Sequence, residues 1–175
     1  PAGEHDAAGF DFELLAIRLV DAFHHAQLAG GHGRLAGFLR DLDRAARWFG
    51  TKGLPATFQD VAHQGRTLRA SDPTGMPLEF YFKMDHGERM LQKYAAYRGA
   101  RIQRIDHLNC FTPDVQASYD FYTELGFRLT EYTETEGPDP QLWAVWMHRK
   151  GNVHDLAFTN GAGPRLHHIG VWTAS

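Results

Sequence analysis

Histidine is the side chain in this sequence whose number and spacing could do chemistry. Of 11 histidines, four (His148, His154, His167 and His168) fall between Ala144 and Trp172. Their segments are β-branched, aromatic and alternating, which predicts strands, with Thr-Asn-Gly-Ala-Gly-Pro (159–164) as a turn. Alternate residues of a strand point to one sheet face, so a histidine on one strand can meet a histidine on another across a pocket. Upstream, His107 and Asn109 share a face of Arg-Ile-Asp-His-Leu-Asn (104–109). The chemistry this favours is metal binding, since neutral imidazole is a common metal ligand and titrates near neutral pH.

Other candidates are weighed against plainer roles. His167 alternates with His168 and is expected to face away, packed or hydrogen-bonded. His148, beside Arg149 and Lys150, is expected at a rim. Asp106 and Asp155 are expected to point to the face opposite their neighbouring histidines. His24, His25 and His32 precede or lie in a glycine-rich stretch with no third ligand at a recognisable spacing, and they are left outside the site. Glu79 has no histidine partner and is read as scaffold.

The elements that must position these residues show up as a repeat. Asp41–Leu54 and Asp114–Phe127 align without a gap, each with an aspartate, an aromatic pair and a Gly-apolar exit. Each predicts a helix, over 41–50 and 114–123, with the aspartates as N-caps and Gly53 and Gly126 as left-handed exits. Trp48, Phe49, Phe121 and Tyr122 are expected in core or sheet contacts. Before each helix a strand is expected, Arg34–Phe38 and Arg104–Leu108, which makes Gly37 the counterpart of His107. Further strands follow each helix, and Arg165-Leu-His-His-Ile opens a third copy. Residues 10–33 fit a helix or a buried strand equally. The spacing of Met90, Leu91, Tyr94 and Tyr97 predicts a linker helix, and Gly137–Pro140 predicts a hairpin loop.

Composition sets the outer bounds. The 175 residues are 43% hydrophobic, enough for a real core. A net charge of -3, a pI near 6.4 and no basic stripe argue against a nucleic-acid surface. A single cysteine, Cys110, excludes an intramolecular disulfide, and no apolar run reaches the length of a membrane span. The small, acidic start lacks the features of a signal peptide, and a cytoplasmic location is expected.

The repeated unit resembles the βαβββ module of the vicinal-oxygen-chelate superfamily, an α+β fold of the glyoxalase and bleomycin-resistance type. The strings Arg-Ile-Asp-His-Leu-Asn with Thr-Pro-Asp-Val, then Trp-Met-His-Arg-Lys with Val-His-Asp, then Gly-Pro-Arg-Leu-His-His, resemble the type I extradiol catechol dioxygenases. Within these the resemblance is to the homoprotocatechuate 2,3-dioxygenase branch, and it covers roughly residues 34–173. It implies a non-metal N-terminal domain over 1–83, made of an incomplete first module plus a module at 34–83. A linker helix over 84–100 and a metal-binding catalytic domain over 101–175, its last module incomplete, would follow.

The same resemblance implies a ring-cleaving enzyme that inserts both atoms of O2 into a catechol such as 3,4-dihydroxyphenylacetate to give a muconic semialdehyde. His107 and His168 would be metal ligands, with the third ligand, a glutamate, expected beyond Ser175. The ion would be Fe(II), with Mn(II) as the alternative. His154 would be the acid-base residue and touch substrate, Asn109 a polar catalytic residue, and Trp146 an aromatic wall for the substrate. A homo-oligomer, a tetramer in the family, is implied as well. The alternative from another class is an inactive binding or structural module of the same fold.

Overall fold

The computed structural model describes residues 15–18, 31–85, 87–88, 93–151 and 153–173, with side chains from Asp41 onward. Two helices each lie with a sheet of their own. The first unit runs β1 (Leu15–Arg18), α1 (Gly31–Thr51), β2 (Ala56–Val61), β3 (Gly65–Ser71) and β4 (Pro77–Tyr81). The second runs β5 (Ile102–Thr112), α2 (Val115–Glu124), β6 (Arg128–Glu134), β7 (Leu142–His148) and β8 (Leu156–Asn160), and β9 (Arg165–Thr173) follows. The sheet orders are β1-β4-β3-β2 and β6-β7-β8-β5-β9. In each unit the first strand lies parallel to the last, β1 with β4 and β5 with β8, and the other pairs are antiparallel. The same strand-helix-three-strand unit therefore occurs twice.

The strand expected at Arg34–Phe38 is helix instead, because α1 begins at Gly31. The period Leu35, Phe38, Leu42, Ala45, Phe49 is helical and runs through that segment. The first strand of the unit is Leu15–Arg18, within the stretch that fitted helix and strand equally. The module expected at 34–83 thus opens at β1. Gly37 is no counterpart of His107, and Asp41 lies inside α1 rather than at its N-cap. Asp114 does cap α2, its Oδ1 accepting Ala117 N at 2.8 Å.

Both helices stop in the same way. Gly53 and Gly126 take φ of 67° and 86°. Leu54 N then donates back to Phe49 O at 3.0 Å and Phe127 N to Tyr122 O at 3.0 Å, satisfying carbonyls that the helix end leaves open. Of the linker helix expected over 84–100, the described residues form a single 3-10 turn at Tyr94–Ala96 and are otherwise not helical; His86 and residues 89–92 lie outside the described residues, as do His24 and His25. The loop at Gly137–Pro140 joins β6 to β7 and is closed by Thr135 N on Gln141 O at 2.9 Å.

One continuous core joins the units. Phe49 of α1 contacts Phe80 of β4 at 5.3 Å and Phe121 of α2 at 6.0 Å between ring centroids, and Trp48 contacts Phe121 at 5.4 Å. Phe49, Phe80, Tyr122, Val145, Met147 and Phe158 are fully buried in it. The carboxylate of Asp72, in the β3–β4 turn, is buried beside it; Oδ1 accepts Thr74 N and Met76 N, both at 2.9 Å, and Oδ2 accepts the Tyr122 hydroxyl at 3.4 Å. No helix among the described residues is long and apolar enough to cross a membrane.

Candidate functional site

The second sheet has a core face and a site face, and strand register decides which residues share them. Directly paired residues point the same way. Met147, Leu156, Leu108 and Ile169 form one row across β7, β8, β5 and β9; the adjacent row is Trp146, Ala157, Asn109 and His168. The row of Met147 and Leu156, both buried, points into the core, so the row of Asn109 and His168 points out of it. His107, two residues from Asn109, shares that outward face and pairs with Gly170.

On that face His107 Nε2 stands 3.1 Å from His168 Nε2, with the rings perpendicular at 88°. His154 lies in the β7–β8 connection with its ring 4.4 Å from that of His107. The backbone of Asp155 puts it there, since Asp155 N donates to Met147 O at 2.9 Å and Leu108 N donates to Asp155 O at 3.0 Å. The Asp155 carboxylate in turn accepts Arg149 N at 2.7 Å and Lys150 N at 2.8 Å, closing the loop that carries His154. Burial, then the neighbouring His107, holds His154 below the usual imidazole value, which favours its neutral form. Asn109 is buried and accepts the Thr159 hydroxyl at 3.2 Å; Trp146 is half-buried in the same row. His148 turns to Lys150 O at 3.1 Å at the end of β7. Glu79 is buried in the first unit's sheet, bonded to Arg69 at 2.7 Å and Gln64 at 2.9 Å.

Two sequence expectations fail at register shifts. Between the pairs Ile105↔Val171 and His107↔Gly170 the extra residue is Asp106; between Asn109↔His168 and Cys110↔Leu166 it is His167. An extra residue in one strand breaks the alternation and re-aims its side chain. Asp106 therefore does not face away, and its Oδ2 meets His107 Nδ1 at 2.9 Å. Nor does His167 face away: its Nδ1 lies 2.7 Å from His168 Nδ1, and its ring packs 4.6 Å from Phe111. The other Asp106 oxygen accepts Trp172 Nε1 at 2.6 Å. Hydrogen bonds from His107 and then Trp172 hold the Asp106 carboxyl below the usual carboxylate range. Sequence reasoning also missed Gly170. A Cβ there would come within 2.3–2.8 Å of the His107 ring atoms, so the ring occupies the space a side chain would need.

An ionised carboxylate only accepts, so a neutral His107 donates from Nδ1 to Asp106 and its Nε2 carries a lone pair.

The donor set fits a metal ion. Two ligands each about 2.1 Å from one ion at a right angle stand about 3.0 Å apart, close to the spacing of the two Nε2 atoms. A histidine ligand usually donates its other ring N–H to a carboxylate or carbonyl, and His107 does. Among the described residues no group of three His, Cys, Asp or Glu is arranged to hold an ion.

Residues 104–174 match the profile of the Glyoxalase/Bleomycin resistance protein/Dioxygenase superfamily. The proteins it is similar to are dioxygenases. Biphenyl-2,3-diol 1,2-dioxygenase of Paraburkholderia xenovorans (strain LB400) is 32% identical over 111 residues, covering 60% of this chain and 37% of that protein. The manganese-dependent 2,3-dihydroxybiphenyl 1,2-dioxygenase of Geobacillus genomosp. 3 is 28% identical over 121 residues, covering 62% and 38%. The solved complex of homoprotocatechuate 2,3-dioxygenase from Brevibacterium fuscum with 3,4-dihydroxyphenylacetate superposes with a TM-score of 0.67 at 40% identity, covering 75% of this chain and 41% of that one. The repeated-module fold expected from the sequence is thus the fold of these enzymes.

Proposed function

We propose that this chain carries the ligand-bearing part of an extradiol dioxygenase that opens a catechol of the 3,4-dihydroxyphenylacetate type. The observation that carries the reading is the convergence of His107 Nε2 and His168 Nε2 at 3.1 Å on the exposed face of the second sheet. The higher identity to the homoprotocatechuate enzyme than to the biphenyl-diol enzymes supports the choice of substrate. His107 and His168 would hold Fe(II), with Mn(II) as the alternative, and a carboxylate from outside the described residues would complete the set. Bound there, the ion would supply open positions for a chelating catecholate and for O2. The second unit and β9 form the metal-binding domain, the first unit a domain without metal.

The chain's own residues prepare the substrate. His154, neutral near pH 7, takes a proton from a catechol hydroxyl and returns it as the ring opens. Asn109, held by Thr159, presents its amide beside the two ligands. Trp146 gives the ring a flat apolar wall in the same row. The products follow from adding both atoms of O2 across a ring bond next to the diol, which leaves a hydroxymuconic semialdehyde.

The test is metal analysis of protein purified without added metal, run beside an absorbance assay for the yellow ring-opened product. Iron or manganese in the protein, with faster turnover of 3,4-dihydroxyphenylacetate than of 2,3-dihydroxybiphenyl, is expected. Faster turnover of the biphenyl diol would overturn the substrate. Neither metal nor product would leave a structural module.

A further inference from the structure

We propose that Asp106 is the positioning residue of the site: its carboxylate, delivered by the β5 register shift, fixes the tautomer of His107 and so directs a lone pair at His168. This rests on the reading of His107 as a ligand and names the group that makes it one. Three observations carry it. Asp106 is the extra residue between Ile105↔Val171 and His107↔Gly170, so a strand that would otherwise turn it away presents it to its neighbour. Its Oδ2 lies 2.9 Å from His107 Nδ1. Its Oδ1 is held at 2.6 Å by the Trp172 indole, which Arg104 covers at 4.5 Å, so the carboxylate is itself oriented rather than loose.

The chemistry follows from the donor inventory. A neutral imidazole has one N–H and one lone pair, and in water the two tautomers interconvert freely. An acceptor held at Nδ1 selects the Nδ1–H form and leaves Nε2 to bind a cation, while the negative charge raises the basicity of that nitrogen. Gly170 completes the arrangement by leaving room for the ring directly beneath.

The experiment reads the tautomer and the affinity separately. Long-range nitrogen–proton correlation NMR on the full chain stripped of metal reports which His107 nitrogen carries the proton. Titration with Mn(II) reports affinity, for wild type, Asp106→Asn, Asp106→Ala and His107→Ala. Wild type should show the Nδ1–H form. Asp106→Ala should lose that preference and bind Mn(II) about ten- to a hundredfold more weakly, with Asp106→Asn between, because an amide oxygen still accepts but carries no charge. An unchanged tautomer in Asp106→Ala overturns the proposal, whether or not affinity falls. If His107→Ala binds Mn(II) as wild type does, the ligand reading fails instead, and the tautomer arm still judges Asp106.

Discussion

His154 touches the ring of His107 without a hydrogen bond to it, so its removal can be separated from loss of the ion. His154→Asn should slow turnover by about two to four orders of magnitude while metal content stays near wild type. Unchanged turnover would make it a packing residue. Gly170 makes a different claim at the same scale. Gly170→Ala puts a methyl group within 2.3–2.8 Å of the His107 ring, so the ring must move. Mn(II) affinity should then fall by about ten- to a hundredfold while the far-ultraviolet circular dichroism is retained. Equal affinity would show that the ring has somewhere else to go. That His107 and Asn109 share a face and that His168 can meet them from another strand was legible from strand alternation and the repeated strings, whereas His154 and Trp146 were named only through the family resemblance. The places of Asp106, His167 and Gly170 were not legible. Register shifts follow no sequence pattern, and alternation assigned Asp106 and His167 to the wrong face.

At the scale of the element, the sequence is clearest where a helix must stop. Gly53 and Gly126 take the same positive φ, and a methyl group at Gly53 meets nothing within 4 Å. Gly53→Ala should cost about 1 kcal/mol through backbone conformation alone. Gly126→Ala should cost more, because its Cβ would lie 2.6 Å from Arg149 Nη1, which donates to Leu125 O at 2.8 Å. Urea denaturation of the two variants gives the order, and equal losses would remove the role assigned to Arg149. The start of α1 was harder to read. The alignment of Arg34–Phe38 with a true strand competes with a helical period in the same residues, and the period prevails. A four-residue strand such as β1 leaves too little alternation to be told from a helix turn, and its place is fixed by parallel pairing with β4, residues 78–81, a contact distant in sequence.

Across the whole molecule, the two units should unfold as one. Phe49 is buried against Phe80 of its own unit and Phe121 of the other, so Phe49→Ala removes contacts on both sides. A loss of about 3–5 kcal/mol in a single transition is expected, and two separated transitions in calorimetry of the wild type would contradict it. Asp72 adds a pH dependence to the same junction. Burial raises its carboxyl above 3.8, and the hydrogen bonds from Met76, Thr74 and Tyr122 only partly offset this. A raised folded value means stability that is present below the unfolded value and is lost as pH rises through the folded one. Asp72→Asn keeps an acceptor for Thr74 and Met76 but carries no charge. Its stability relative to wild type should therefore improve as pH rises from about 3 to 7. A constant difference would mean that the carboxyl is not strained by burial. That Phe49 and Phe121 face the core was legible from the repeat, whereas the joining of the two cores depends on how the units pack.

The register shifts at Asp106 and His167 enclose a short regular patch, His107–Asn109 against His168–Gly170, with one extra residue at each end and on opposite strands. Such a patch cannot slide, because a slip of one residue would have to carry an extra residue through the ladder. It also marks what would have to be moved to rebuild the site elsewhere. Two histidines grafted diagonally onto a plain antiparallel hairpin would reproduce the rings and lose both supports, since Asp106 and His167 would turn to the far side. The smallest portable unit is residues 104–111 together with 165–172, transferred with both irregularities intact.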